Sequence, residues 1–170
     1  MTRFGWVMAT YVGALGVGLS ALFHPLPGLI WNATASVPIG FYVVHPAGAL
    51  QVGELLVVKP PEPLTTFLDQ RGYLPKGVPL LKRVLALPSQ VVCRTDRTIT
   101  VDGAAMGEAL NRDRRGRPLP AWRGCHTVAP GEAFLMNRQS ADSLDSRYFG
   151  PLSVTAIAGR ADPLWTHKER

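Results

Sequence analysis

Residues 80–87 read Leu80-Leu81-Lys82-Arg83-Val84-Leu85-Ala86-Leu87, with Pro79 before them and Pro88 after. An apolar run this short, closed by proline at both ends, predicts a strand rather than a helix. On a period of two, Leu80, Lys82 and Val84 share one face and Arg83 points to the other. Lys82 therefore stands on an apolar face. A lysine there must pair, reach solvent along its stem, or lose its proton. Burial disfavours the ammonium form and lowers the pKa. Bringing a free lysine from about 10.4 to about 7 takes roughly 4.6 kcal/mol of differential solvation. A neutral amine so produced can accept a proton from a serine hydroxyl. The competing reading is an ion pair with Glu54 or Asp145.

Short strands continue on both sides of this run. Phe41–Val44 and Gly53–Lys59 precede it, the second stopped by Pro60-Pro61. Gln90–Cys93 and Thr98–Val101 follow, and Asp102-Gly103 makes a hairpin turn. Ala133–Met136 and Leu152–Ala158 complete the set, with a short helix-compatible piece around Leu64–Gln70. Strands of this length and spacing predict a mainly β domain, an antiparallel barrel or sandwich. The 15 prolines and 17 glycines, without a repeat period, fit such a turn-rich fold better than a bundle.

Phe4–Phe23 is an uncharged run, about 30 Å long as a helix, which matches a bilayer core. Residues 1–30 are therefore expected to form a transmembrane anchor, spanning at 4–23, with His24-Pro25-Leu26-Pro27 ending the helix. A cleavable secretory signal is the rival reading. Arg3 precedes the run and no Lys or Arg follows until Lys59, which puts the N-terminus in the cytoplasm and residues 31–170 outside. The apolar trio Leu29, Ile30 and Trp31 can then lie on the bilayer surface.

The net charge of +6 raises nucleic acid or anionic lipid as partners. Much of the excess lies in residues 111–118, Asn-Arg-Asp-Arg-Arg-Gly-Arg-Pro, which has no interleaved aromatics. No nucleic-acid-binding signature accompanies it, so nucleic acid is not expected as a partner. The stretch reads as a solvated loop or as a docking patch for a partner or headgroups. Cys93 and Cys125 lie far apart, no CxxC occurs, and the four histidines are scattered, which argues against a metal site. The two cysteines are a disulfide in an oxidising compartment and buried thiols in the cytoplasm. Thr34-Ala35-Ser36-Val37-Pro38 is a polar, turn-prone stretch in which Ser36 is either a linker residue or a nucleophile.

Ser143-Leu144-Asp145-Ser146-Arg147-Tyr148-Phe149-Gly150 resembles the "SxDSRYxG" box of membrane-bound type I signal peptidases. The resemblance then orders the rest of the chain, roughly residues 31–165. Thr34–Pro38 is similar to the nucleophile box and Lys82-Arg83-Val84 to the box that holds the lysine base. It implies Ser36 as nucleophile and Lys82 as general base. It also implies an oxyanion hole from the Ser36 N–H and the Thr34 hydroxyl, and Ser143 orienting the Lys82 amine. Asp145 and Arg147 would pair to support that loop. No cofactor is implied. The substrate would be an exported precursor bound as an extended strand. The implied location, the outer face of a bacterial inner membrane, puts Cys93 and Cys125 in the periplasm and so implies a disulfide between them.

Two departures stand out. Val37 follows the serine where the family often has Met, and Met136-Asn137-Arg138 stands where a "GDN" is usual. The short chain looks most like the TraF-type maturation peptidases of conjugative transfer systems. That implies trimming of a pilin precursor, with head-to-tail cyclisation within the family's reach, and contact with the conjugation apparatus. The alternatives are a general signal peptidase and a non-catalytic scaffold of a secretion apparatus.

Overall fold

The computed structural model describes residues 2–22 and 28–167. Helix α1, Arg3–Leu22, comes first. Among the described residues no helix is long and apolar enough to cross a membrane. The expected span over 4–23 runs into residues outside the described ones. Arg3 occupies the first helical position. Phe23 and the helix-ending His24–Pro27 segment lie outside the described residues. Phe4, Trp6, Val7, Tyr11, Val12 and Val17 are exposed on α1.

The rest is antiparallel β structure, as expected, arranged as two sheets rather than a closed barrel. The larger sheet uses β1 (Leu29–Asn32), β2 (Ile39–His45), β3 (Leu55–Val58) and β4 (Leu80–Ala86), then β9 (Glu132–Leu135), β10 (Leu152–Ser153) and β11 (Ile157–His167). Its order is β1-β2-β11-β3-β4-β9-β10. The smaller sheet uses β5 (Val91–Thr95), β6 (Thr98–Val101), β7 (Ala104–Glu108) and β8 (Gly124–Thr127), in the order β7-β6-β5-β8. Helix α2 spans Glu62–Gln70, and the one-turn α3 spans Ser146–Phe149.

Three apolar clusters hold these layers. Leu56, Val58, Val84, Ala133 and Leu135 fill the space beneath β3, β4 and β9. Val37, Tyr42, Val44, Leu55, Val57, Leu81 and Ala161 join β2 and β11 to β3. Leu85, Val92, Ile99, Val101, Phe134 and Met136 tie the smaller sheet to the larger. Gly40 is required where β2 meets β11: at φ +151° its absent Cβ would lie 2.1 Å from the Trp165 carbonyl oxygen. The Asp102-Gly103 turn has positive φ at both residues, as a two-residue hairpin demands.

Two readings of the sequence change, and one strand, β8, was not expected. Leu29–Asn32 is a strand and not only a surface trio, because it pairs with β2 from Leu29↔Val43 to Asn32↔Gly40. Leu152–Ala158 is not one strand: Val154–Ala156 forms a 3-10 turn between β10 and β11. β8 is exposed along its whole length and is held by pairing to β5 and by the Cys93–Cys125 disulfide, which joins directly opposed residues.

Candidate active site

A cavity of about 940 Å3 opens beside β1 and β4, and Thr34, Ser36, Lys82 and Ser143 all line it. Ser36 sits in the loop between β1 and β2. That loop is tied by Asn32, which is buried at the end of β1. Its Nδ2 donates to the carbonyls of Thr34 (2.8 Å), Val37 (3.1 Å) and Pro38 (3.1 Å). Its Oδ1 accepts from the Thr34 amide (3.2 Å) and hydroxyl (2.9 Å). The Tyr42 hydroxyl adds a bond to the Pro38 carbonyl at 2.6 Å. The loop is thus fixed by buried side chains on both strands that flank it.

The Ser36 and Thr34 hydroxyls lie 3.3 Å apart. Thr34 commits its single proton to Asn32. Ser36 is therefore the donor in that pair, and its Oγ keeps lone pairs to face the cavity.

Lys82 lies on β4, opposite Leu56 of β3 and only 4% exposed. Its Nζ donates to the Ser143 hydroxyl at 2.8 Å, a buried bond. Burial lowers the Lys82 pKa to about 8; Asp145 opposes that shift and Arg147 adds to it. An amine with a pKa near 8 is neutral in about a tenth of molecules at pH 7, against well under a thousandth for a free lysine. Arg83 faces out, as its position on the strand predicts, and donates to the Gly53 carbonyl. Glu54 is occupied by the Gln51 amide and Arg160, so the sequence's alternative partner for Lys82 is engaged elsewhere.

Lys82 is positioned from below by a buried polar scaffold. Asp145 and Arg147 pair with Oδ1···Nε at 2.9 Å, their side chains 0% and 2% exposed. A second contact, Nη2 to Oδ2 at 3.0 Å, makes the pair bidentate. Asp145 also caps α3 by accepting from the Arg147 amide. Arg147 donates on to the carbonyls of Ser140 (2.7 Å), Ser143 (3.1 Å) and Glu108 (3.0 Å). The loop carrying Ser143 is thereby pinned around one guanidinium.

Asn137 connects this scaffold to β4. Its amide donates to the Leu81 carbonyl and its oxygen accepts from the Arg83 amide, both at 3.0 Å, so it grips the backbone on each side of Lys82. Its own N–H donates to Asp145 Oδ2. Asn137→Ala should strip partners from those two backbone groups. The expected loss is about 2–3 kcal/mol, read as a lower urea midpoint at unchanged m-value.

A buried lysine bonded to a serine hydroxyl thus shares one cavity with a second serine held on a tied turn. The family profile described as "Signal peptidase, peptidase S26" matches residues 1–165. The chain belongs to this signal peptidase family. A "Conjugal transfer protein TraF" of Agrobacterium fabrum is 35% identical over 170 residues, covering 92% of this chain and 94% of that protein. A "Plasmid transfer protein TraF" of Escherichia coli is 32% identical over 180 residues, covering 98% and 99%. A crystal structure of a signal peptidase I from Enterococcus faecalis aligns at 20% identity and a TM-score of 0.41, over 66% of this chain and 97% of that one.

The cavity gathers Thr34, Ser36, Lys82 and Ser143, and the Asp145–Arg147 pair stands behind them, with Arg147 holding the Ser143 carbonyl. His45 and His126 pair with Asp162 and Glu132 away from the cavity. Sequence reasoning missed Asn32 and the gripping role of Asn137. An asparagine directly before a turn is a side-chain-to-backbone signal and could have found Asn32. Arg94, which the sequence did not single out, is buried: it donates to the Arg147 carbonyl at 2.6 Å and lies over the Tyr148 ring. Nothing local in its sequence announces that role.

Proposed function

We propose that this serine peptidase trims an exported precursor, the pilin subunit of a conjugative transfer system, through an acyl-enzyme on Ser36. The observation that carries this reading is the buried Lys82 amine, bonded to Ser143, in one cavity with Ser36. The relatives named for conjugal and plasmid transfer support the choice of system.

Ser36 Oγ attacks the scissile carbonyl while neutral Lys82 accepts its proton. The tetrahedral oxyanion forms against the Ser36 N–H and the Thr34 hydroxyl. Thr34 must turn its proton from Asn32 toward that oxygen, so Asn32 is the group that releases it. The lysine ammonium then protonates the leaving amine, and the acyl ester remains on Ser36. Ser143 and the Asp145–Arg147 pair orient Lys82 without touching the substrate. Strand β1 is an edge of its sheet and lines the cavity, which suits an extended substrate added alongside it. Water resolving the ester gives a linear product. A substrate amine held in its place gives a ring.

Residues 1–30 would hold the chain at the inner membrane, N-terminus cytoplasmic, and residues 31–170 would form the periplasmic peptidase domain. Exposed Leu29, Trp31, Phe41, Leu164 and Trp165 form an aromatic patch beside the cavity mouth, with Trp31 against Phe41 at 4.8 Å and Trp165 at 6.4 Å. Such a patch suits the headgroup region, where indole rings settle.

The test is the intact mass of the pilin precursor from the same transfer cluster after co-expression with this chain. A product one water lighter than the linear trimmed chain, absent with Ser36→Ala, is the expected result. A linear product removes the ring-closing step. Unprocessed precursor removes the pilin assignment.

A further inference from the structure

The arginine-rich loop at 111–118 is mostly exposed, as a solvated loop is, yet it also borders the site. It forms a wall of the cavity that holds Ser36 and Lys82: Asp113, Arg114, Arg115 and Arg117 all line it. The loop is rigid for its length. Asp113 accepts from the amides of Arg115 (2.9 Å) and Arg117 (2.8 Å), from Arg117 Nε (2.7 Å) and from the Tyr73 hydroxyl (2.5 Å). An Arg112↔Pro118 bridge closes its base.

The four guanidinium groups of the loop have different fates. Arg112 turns back to the Gly116 carbonyl. Arg114 pairs with Asp142. Arg117 is spent on Asp113 and the Arg71 carbonyl, and stacks on Tyr73. Arg115 has no side-chain partner among the described residues. Its Nη1 lies over Gly72, 4.0 Å from where a Cβ would stand, at the end of α2. Gly72 takes φ +65°, the left-handed region that favours glycine. An unpaired, exposed guanidinium on a tied loop, at the wall of a cavity of mostly apolar lining, is suited to receive a carboxylate.

We propose that Arg115 reads a carboxylate on the substrate, so that this site prefers precursors bearing an acidic group near the scissile bond. The carboxylate is either an Asp or Glu side chain or the free end of the substrate chain. The proposal rests on the peptidase reading above and adds a specificity determinant to it. Arg115 touches the substrate away from the reacting carbonyl, so its effect falls on KM.

The test uses the full chain in detergent micelles and a set of extended peptides with Ala, Gly or Ser at the scissile positions. Each flanking position carries Asp or Glu, or the amide isostere Asn or Gln, and each peptide ends in a free or an amidated terminus. A charge-assisted bond predicts kcat/KM about tenfold higher for the carboxylate member of the preferred pair, carried by KM. Arg115→Gln should bring that ratio to within about twofold, and Arg115→Lys should restore part of it by charge without the planar fork. The side-chain pairs and the terminus pairs tell which carboxylate is read. Equal turnover of acid and amide by the wild type, turnover of neither, or a ratio that survives Arg115→Gln, each overturns the proposal. Ser36→Ala runs alongside: cleavage that persists in it sinks the peptidase reading, whereas Ser36-dependent cleavage without acidic preference sinks only the role of Arg115.

Discussion

Ser36→Ala and Lys82→Met are each expected to lower precursor cleavage by about 10^4-fold or more, with the double variant scarcely worse than either, because nucleophile and base act as a unit. The two should differ in stability. Ser36 is half-buried on a turn held by Asn32 and Tyr42, so its truncation should leave the unfolding midpoint nearly unchanged. Lys82 is a cation forced into an apolar face. Its pKa is about 8 in the folded chain, against about 10.4 unfolded, so below pH 8 the fold bears roughly 3 kcal/mol of charge burial. The sign follows from proton counts: between those values the unfolded chain binds more protons, so stability rises with pH. Lys82→Met removes the burden and loses the bond to Ser143, worth about 1 kcal/mol. The variant should be about 2 kcal/mol more stable than wild type at pH 7, with the gain gone by about pH 10. Urea titrations at both pH values read this directly. A Lys82→Met protein less stable than wild type at pH 7 would show the lysine to be structural.

The second large effect lies one layer down. Asp145→Asn leaves the Arg147 guanidinium buried without its counter-charge, and removing one partner of such a pair costs about 3–5 kcal/mol. Arg147 sits at the junction of the Ser140, Ser143 and Glu108 carbonyls, so the loop carrying Ser143 should loosen with it. Activity should fall with stability, and Asp145→Asn/Arg147→Met should recover part of the fold but little activity. The double-mutant cycle on urea midpoints should give a coupling of at least about 2 kcal/mol. Additive effects would mean that the pair does not hold the site.

Much of this was readable in the chain because it is locally encoded. Lys82 was placed on a buried strand by period and by flanking prolines, and β4 runs Leu80–Ala86 with Arg83 outward. The Asp102-Gly103 hairpin followed from turn chemistry, and Ser143, Asp145 and Arg147 from one long box. What escaped depends on partners distant in sequence. β8 has no buried alternation, and only β5 and the disulfide make it a strand. β11 joins β2 to β3 across a bulge beside Pro163, a residue that sequence reasoning treats as a strand breaker. That the arginine loop borders the site escaped because composition cannot show that Tyr73 and Asp113 fold it against the cavity.

The central claim is that Lys82 works as a neutral base. The pH dependence of kcat/KM for precursor cleavage by the full chain in detergent, from about pH 5.5 to pH 10, tests it most directly. The account predicts a rise of about tenfold per pH unit, levelling above about 8, where the Lys82 amine has lost its proton. A midpoint near 6.5, the ordinary histidine value, or a rate flat across that range, would contradict it.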